Sequence, residues 1–262
     1  QGTSDSAAPV LEHLFTFAVI ADPHINGAAE HTQRLEHTVA WVNELHAAER
    51  IELVLVLGDV GWGEGLVISK EVLDGLDIPH VPVIGDNEVS YGSEFDFESV
   101  YSSSFAVLEE SFGDWSKGEG PVWNPEEEKE SHFYNYAFSH RGVRFVSLDW
   151  AARAEGGLDS EMGDLHDFEG GTLPWFEAEA QKWGPQLPGS VVIATHVPMM
   201  MSPGAMDMSE QSVLTDIVSA QGNAVFANFA GHFHVDSEVP VEDGGYDVYI
   251  LDAVWDDVLT LR

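Results

Sequence analysis

Five short polar motifs, each following a run of apolar residues, limit what this chain can fold into more than any other feature. In chain order they are Asp22-Pro23-His24, Gly58-Asp59, Gly85-Asp86-Asn87-Glu88, Thr195-His196-Val197-Pro198 and Gly231-His232-Phe233-His234. Residues this far apart in sequence can share one site only if strands bring their ends to the same edge of a sheet. Imidazoles and carboxylates are metal ligands, so the pattern predicts a metal centre built on strand ends.

The order of the motifs resembles that of the calcineurin-like metallophosphoesterase superfamily, which has D-x-H, G-D, G-N-H-[DE], a single histidine and G-H-x-H. The resemblance runs from about Phe15 to about Asp252. One such motif arises by chance in many proteins, whereas five in order are specific. The resemblance implies a four-layer α/β/β/α sandwich of two mixed sheets flanked by helices. It also implies two divalent or mixed-valence metal ions, chosen from Mn, Zn, Fe, Ni and Mg.

The same resemblance implies a role for each matching residue. Asp59 corresponds to the carboxylate that bridges the two metals. The remaining ligands would be Asp22, His24 and His234 for the first metal, and Asp86, His196 and His232 for the second. In such a centre, two cations roughly 3.5–4 Å apart hold a hydroxide that attacks phosphorus. The chain contains no cysteine, so every ligand must offer nitrogen or oxygen.

The chain departs from the family pattern at two adjacent positions. Asp86 stands where the family has an asparagine ligand, and Asn87 stands where it has a catalytic histidine. The extra charge of Asp86 would bind cations more firmly while making the bridging water less acidic. Asn87 can donate a hydrogen bond to a phosphoryl oxygen but cannot transfer a proton, and general-acid help is worth about 10²–10⁴-fold in rate. We therefore expect slow turnover or a preference for good leaving groups.

Two alternatives concern these positions. A shifted register would make Asn87 the ligand and give Glu88 the catalytic position, but it breaks the matches at Gly85 and Glu88. Another histidine could replace the absent proton donor, and the sequence does not choose among His80, His132, His140 and His166. The histidines of the first predicted helix, His31, His37 and His46, are interpreted as solvated side chains.

The motifs predict a metal-dependent phosphoester hydrolase, either a phosphodiesterase or a phosphatase, acting on a small-molecule phosphoester. No Lys or Arg falls in any motif, which favours diesters or activated esters over monoester dianions unless Arg141 or Arg153 folds into the cleft. The alternative is a catalytically impaired protein on the same fold that binds metal and phosphate without turnover.

Composition restricts the partners. With 46 acidic residues against 10 Lys and Arg, the formal net charge is −36, which argues against a broad nucleic-acid surface. It favours a protein from saline or marine conditions, with an acidic mesophilic protein as the alternative. No apolar run reaches the roughly 18 residues of a membrane span. The chain begins at Gln1, and the small polar stretch from Gly2 to Pro9 predicts a mature end left by export, hence a secreted or periplasmic protein. A chain trimmed by design would begin the same way.

We expect one domain over residues 1–262, with a flexible segment at 1–12 and a candidate cleft-forming insertion at 89–132. Hydrophobic periodicity predicts strands at Phe15–Ala21, Ile51–Leu57, Val81–Ile84, Phe133–Phe138, Val143–Leu148, Val191–Ala194, Ala224–Phe229, Tyr246–Leu251 and Val254–Leu261. It predicts helices at Glu30–Arg50, Leu66–Leu76, Ser93–Gly113, Pro174–Trp183 and Ser209–Ala220. Candidate cleft walls are Trp115, Trp123 and Met199 to Met201, each of which could instead lie in the core.

Overall fold

The computed structural model describes residues 13–153, 162–183 and 189–256. Its first half forms a parallel three-stranded sheet in the order β1-β2-β3, which carries three of the five motifs. Mainly apolar residues form the strands, and α1 and α2 connect them, since parallel neighbours need a crossover connection. The elements are β1 (Thr16–Ile20), α1 (Ala29–Glu49), β2 (Ile51–Leu57), α2 (Glu64–Leu73), β3 (His80–Val83), α3 (Asp86–Ser90) and α4 (Glu94–Ser111).

The second half forms a mixed seven-stranded sheet in the order β11-β12-β10-β9-β8-β7-β4. Its central strands, β8, β9, β10 and β12, pair in parallel, while the pairs at both edges are antiparallel. The elements are β4 (Gly113–Lys117), β5 (Val122–Asn124), β6 (Lys129–Ser131), β7 (Tyr136–His140), β8 (Val143–Leu148), α5 (Thr172–Ala180), β9 (Val191–Thr195), α6 (Met208–Ala220), β10 (Val225–Ala230), β11 (Ser237–Val241) and β12 (Tyr246–Ile250). Strands β5 and β6 form a separate hairpin.

Two apolar cores hold the layers together. The larger core joins both sides of the first sheet to α1, α2 and α4 and to the inner face of the second sheet, where Phe138, Phe145 and Phe229 lie. The smaller core packs α5 and α6 on the outer face of the second sheet through Phe176 and Leu214. The predicted four-layer α/β/β/α arrangement is therefore confirmed, and the pairing in the first sheet is parallel throughout the described residues.

Most predicted elements lie within two or three residues of their predicted bounds, and β2 and β8 match them completely. The strand predicted at Val254–Leu261 is wrong over its described part, because Val254–Asp256 is a 3₁₀ helix. The rest of that strand and the predicted flexible segment at 1–12 lie outside the described residues. The predicted helix at Ser93–Gly113 is α4, and it buries the expected Phe97, Tyr101, Phe105 and Leu108.

The segment 89–132 contains α4, β4 and the β5–β6 hairpin. Trp115 is half-buried against Tyr136, and Trp123 is 59% exposed.

Across the part of the chain that the structure describes, no helix combines the length and apolarity that a bilayer crossing needs.

Candidate metal centre

All five motifs meet at one edge of the two sheets. Asp22 and His24 follow β1, Asp59 follows β2, and Asp86 opens α3 after β3. From the second sheet, β9 delivers His196, and β10 delivers the last pair, His232 and His234. The seven predicted ligand positions form overlapping groups in which the ligand atoms lie within 4.8 Å of one another. The groups are Asp22, His24 and His234; Asp86, His196 and His232; and Asp22, Asp59 and His196.

The first group surrounds the carboxylate of Asp22, which is fully buried. Its Oδ1 lies 3.3 Å from Nε2 of His234 and 3.6 Å from Nε2 of His24. Burial alone would raise the pKa of Asp22, but the two imidazoles hold that pKa well below its usual range. Asp22 therefore stays anionic and attracts positive charge to this point.

The second group surrounds Asp86. Its Oδ1 lies 2.7 Å from Nε2 of His196 and 3.1 Å from Nδ1 of His232. Burial opposes ionisation of Asp86, yet the two imidazoles hold its pKa well below the usual range. The second group therefore resembles the first, with one anionic oxygen between two imidazole nitrogens.

The carboxylate of Asp59 lies between the two groups. Its Oδ2 is 3.2 Å from Nε2 of His24, and its Oδ1 is 3.5 Å from Nε2 of His196. One oxygen thus faces each group, which is the arrangement that a carboxylate bridging two cations needs.

The ring tautomers fix which nitrogens face the carboxylates. Nδ1 of His196 lies 2.8 Å from the carbonyl oxygen of Leu57, and Nε2 of His232 lies 2.7 Å from that of Gly204. A carbonyl oxygen only accepts, so these nitrogens carry the protons and donate. The other nitrogens face Asp86, so they are the ones placed to ligate a metal ion, while the carbonyl contacts hold the rings in this orientation.

His24 offers a further sign that the residues fit a cation. Its Nε2 is buried and makes no hydrogen bond within the described residues, although two carboxylates lie near it. Burial lowers the pKa of His24, but Asp22 and Asp59 outweigh it and raise the pKa to about 9. For the same reason the pKa of His196 is well above its ordinary value. Carboxylates that raise the pKa of neighbouring imidazoles this far also attract metal ions, which displace the imidazole protons. The donor set therefore fits two metal ions.

The backbone at the centre adopts conformations that most residues avoid. Left-handed φ values occur at five of the site residues, Asp22, His24, Asp59, His232 and His234, with angles from 48° to 74°. Such conformations persist when the surrounding structure enforces them, and they concentrate at functional sites. Glycine is needed beside them, because a Cβ at Gly85 or Gly231 would collide with the carboxylate of Asp59 or Asp22.

Glu88 stabilises the backbone that carries the candidate ligands, a role that was not predicted from the sequence. It is fully buried, and its carboxylate accepts backbone N–H groups from Asp59 at 3.0 Å, Gly61 at 2.9 Å and Gly85 at 2.7 Å. Burial, followed by the charge of Asp59, raises the pKa of Glu88 to about 8. The available signal was an acid at the third position of a helix that follows glycine, which is half of a capping box.

Asn87 lies against Asp59. Its backbone N–H donates to Oδ1 of Asp59 at 3.0 Å, and its side-chain amide donates to Oδ2. The four histidines considered as substitute proton donors have other contacts. His80 pairs with Ser104, His140 with Glu52 and His166 with the Ala151 carbonyl, while His132 stacks on Tyr134.

Aromatic rings line the first group. Trp62 lies edge-on to His24 with ring centroids 5.6 Å apart, and Tyr91 stacks on Trp62 at 4.8 Å. On another side, Trp255 contacts His24 and His234 and stacks on His31. The interpretation of His31 as a solvated side chain is wrong, because its Nδ1 lies 2.6 Å from the His24 carbonyl oxygen. No sequence signal singled out Trp62 or Trp255.

The sequence pattern of the calcineurin-like phosphoesterase family matches residues 15–236. The chain therefore belongs to this family, whose members are metal-dependent hydrolases of phosphoesters. A comparison with curated proteins gave no match.

Similar solved structures share this fold. A dimetal phosphatase from Danio rerio is 18% identical with a TM-score of 0.63, over 94% of this chain and 89% of that one. A phosphopantetheinyl hydrolase from Mycobacterium tuberculosis is 11% identical with a TM-score of 0.51, over 91% of this chain and 90% of that one. A purple acid phosphatase from yellow lupin is 12% identical with a TM-score of 0.53, over 90% of this chain and 43% of that one.

Proposed function

We propose that this protein is a phosphoester hydrolase that uses two metal ions bound by the residues of the candidate metal centre. The observation that carries the proposal is the position of Asp59, whose two oxygens face two separate groups of histidine and aspartate. The first ion is assigned to Asp22, His24 and His234, the second to Asp86, His196 and His232, and Asp59 bridges them.

When bound, two such cations supply Lewis acidity and lower the pKa of coordinated water. The protein residues supply position and charge. The carboxyl groups of Asp22, Asp59 and Asp86 would hold the cations, and backbone carbonyls orient the rings of His196 and His232. Asn87 presents an amide that steadies Asp59 and, with a substrate present, can donate to a phosphoryl oxygen.

Asp86 is the better candidate ligand than Asn87. The shifted register would need Asn87 to face His196 and His232 and Glu88 to face the substrate. Instead Asp86 contacts both imidazoles, and Glu88 accepts three backbone N–H groups away from them. These contacts support the original register.

We favour diesters or activated esters as substrates. Arg153, one candidate for binding a monoester dianion, is buried and donates to both oxygens of Asp149. Arg141, the other candidate, pairs with Glu52 at 2.6 Å. Because carboxylates already pair with both guanidinium groups, these arginines offer little positive charge to the second negative charge of a monoester dianion.

The cleft wall is assigned to Trp62 and Tyr91. Tyr91 is 62% exposed, and its stack on Trp62 continues to His24 through an edge contact. Since Tyr91 belongs to the segment 89–132, this contact supports the expectation that the segment helps form the cleft. Met201, 54% exposed, remains a candidate for another wall, whereas Met199 is buried.

Elemental analysis combined with a substrate panel tests the proposal. The purified protein is stripped with chelator and reloaded with Mn²⁺, Zn²⁺, Ni²⁺ or Fe²⁺, and bound metal is counted before turnover of chromogenic mono- and diesters is measured. We expect about two ions per chain at this centre and faster diester hydrolysis. A chain that binds no divalent metal contradicts the proposal.

A second candidate, a metal- and phosphate-binding protein without turnover, is favoured by one observation. At the position of the family's catalytic histidine, Asn87 donates to Asp59 and offers no proton for a leaving group. The same panel separates the candidates. If phosphate raises the melting temperature of the metal-loaded protein while no ester turns over with any metal, the binding function replaces the enzymatic one.

A further inference from the structure

A separate cluster of metal-ligating side chains lies outside the five motifs. It consists of Glu126, Asp164 and His166, each of which offers one ligand atom within 4.8 Å of the others. Glu126 lies in the turn between β5 and β6, while Asp164 and His166 precede α5. None of these residues takes part in the candidate metal centre.

The tautomer of His166 leaves a buried lone pair. His166 is fully buried, and its Nε2 lies 2.9 Å from the Ala151 carbonyl oxygen. The carbonyl can only accept, so Nε2 carries the proton and Nδ1 does not. Nδ1 is buried, has no hydrogen-bond partner among the described residues, and lies 3.6 Å from Oδ2 of Asp164. A lone pair thus faces a carboxylate oxygen, which is unfavourable unless a cation lies between them.

Protonation of His166 is a poor substitute for a cation. Burial, with the nearby charge of Arg153, lowers the pKa of His166 to about 4, so the ring is neutral near pH 7. A neutral imidazole is the form that ligates metal ions. A metal-bound imidazole usually donates its other ring N–H to a carbonyl or carboxylate, as Nε2 of His166 does to the Ala151 carbonyl oxygen.

Hydrogen bonds fix the backbone of the two residues that carry the carboxylates. The N–H of Asp164 donates to the Trp150 carbonyl oxygen at 2.9 Å, and its Oδ1 accepts the N–H of His166 at 2.9 Å, which leaves Oδ2 free to ligate. The N–H of Glu126 donates to the side chain of the buried Asn124 at 2.9 Å, which fixes the turn that carries Glu126.

The surrounding charge favours a cation. Partial burial, followed by the charges of Asp164, Glu127 and Asp167, raises the pKa of Glu126. Opposing charges near the cluster include Arg153, which is largely neutralised by ion pairs with Asp149 and Glu94, and Lys129, whose ammonium donates to the Arg153 carbonyl oxygen. Negative charge therefore exceeds positive charge around the cluster.

We propose that Glu126, Asp164 and His166 bind one divalent first-row transition cation, such as Mn²⁺ or Zn²⁺. One imidazole nitrogen with two carboxylates suits these ions better than Ca²⁺, which takes six to eight oxygens. The ion joins the β5–β6 turn to the segment before α5, so its role is structural. The proposal does not depend on the candidate metal centre or on hydrolysis.

Metal counting in matched variants tests this site. The full chain is stripped with chelator, reloaded with Mn²⁺ alone, passed through a desalting column and assayed for bound metal. Asp164→Asn keeps an oxygen that accepts the His166 N–H, and Glu126→Gln changes an exposed side chain, so both should fold. We expect each variant to lose about one ion per chain relative to the unmodified protein. The control, Glu127→Gln, alters a neighbouring acid outside the cluster and should lose none.

Two results would overturn the proposal. One is an unchanged metal count in Asp164→Asn, and the other is an equal loss in Glu127→Gln, which would indicate diffuse binding by an acidic surface. Asp22→Asn separates this site from the main centre, because it should remove metal there and leave this ion bound. Anomalous scattering at the manganese edge from crystals of the unmodified protein gives an independent answer. A peak beside Nδ1 of His166 is expected, and peaks confined to the main centre would refute the site.

Discussion

Single side chains at the candidate metal centre act through directed contacts rather than through proximity alone. Asp59 reaches both groups only because its left-handed backbone turns the carboxylate between His24 and His196, and because Gly85 leaves room for it. Glu88 then secures the backbone of Asp59. The strain is local, and buried hydrogen bonds compensate for it.

Replacing Asp59, the proposed bridging carboxylate, should abolish most activity. Asp59→Asn removes a carboxylate oxygen that faces one of the two groups, and loss of even a residue that only hydrogen-bonds a metal ligand typically costs about 10–100-fold in activity or metal affinity. We therefore expect hydrolysis to fall by at least about 10²-fold and bound metal to decrease. Steady-state rates and metal content of purified protein measure this. The matched control is Asp216→Asn on the exposed face of α6, and near-equal activity of the two variants would argue against the bridge.

Removing Glu88 should destabilise the fold itself. Glu88→Ala leaves three backbone N–H groups without their acceptor in a buried region, and each such group costs about 1–3 kcal/mol. The free energy of unfolding, from urea titration, should fall by about 3 kcal/mol. Glu109→Ala on the exposed side of α4 is the control. A change of under about 0.5 kcal/mol in Glu88→Ala would show that the three contacts contribute little.

At the scale of elements, strand ends position the site and helix packing holds the strands. β3 and α4 are joined through His80, whose Nε2 lies 2.8 Å from Oγ of Ser104 in a buried contact. The contact links the strand that leads to Asp86 with the helix that follows it. The stability of this pair should depend on pH.

Acid should weaken the packing of β3 on α4. Burial lowers the pKa of His80 to about 4 from 6.5. Above pH 6.5 the side chain is neutral in both folded and unfolded states. As the pH falls from 6.5 to 4, only the unfolded state gains the proton, so stability is lost, by up to about 3 kcal/mol. The free energy of unfolding measured at several pH values, with His80→Gln beside the unmodified protein, should show a shallower slope in the variant. His37→Gln, which changes an exposed side chain of α1, should leave the slope unchanged.

The strands predicted from sequence are those in which apolar residues predominate. β2 has one polar residue, Glu52, and β8 has two, Arg144 and Ser147, whereas β4 and β11 lie at the edges of the second sheet and contain polar and half-exposed residues. Edge strands carry little hydrophobic signal, because one side is solvated and their register depends on a partner. The wrong strand at Val254 has a different cause, since a short apolar run fits a helical turn as well as a strand.

For the whole molecule, the formal charge of −36 affects every encounter with an anion. Metal ions at the centre would make a local positive spot within a negative field. Salt should therefore help an anionic substrate to approach, since screening shortens the reach of the surface charge.

Ionic strength should change kcat/KM in a direction set by this field. Between 0.1 M and 1 M salt the Debye length falls from about 10 Å to about 3 Å. We expect kcat/KM for phosphoesters to rise over this range, with a larger rise for a dianionic monoester than for a monoanionic diester. Initial rates of ester hydrolysis, measured at several salt concentrations with the same metal content, give this change in kcat/KM. A fall in kcat/KM would mean that attraction by the metals outweighs the surface charge.

The sequence by itself determined most of the strands and the polar motifs at their ends, because apolar runs and the polar residues that follow them are local signals. The candidate ligand set and the sandwich fold were implied by the resemblance of those motifs to the calcineurin-like family. Only the tertiary structure decided that Asn87 binds Asp59, that Glu88 accepts three backbone N–H groups and that His31 and Trp255 border the site. These features depend on contacts between residues distant in sequence, and on buried hydrogen bonds that choose one tautomer and one direction for each side chain.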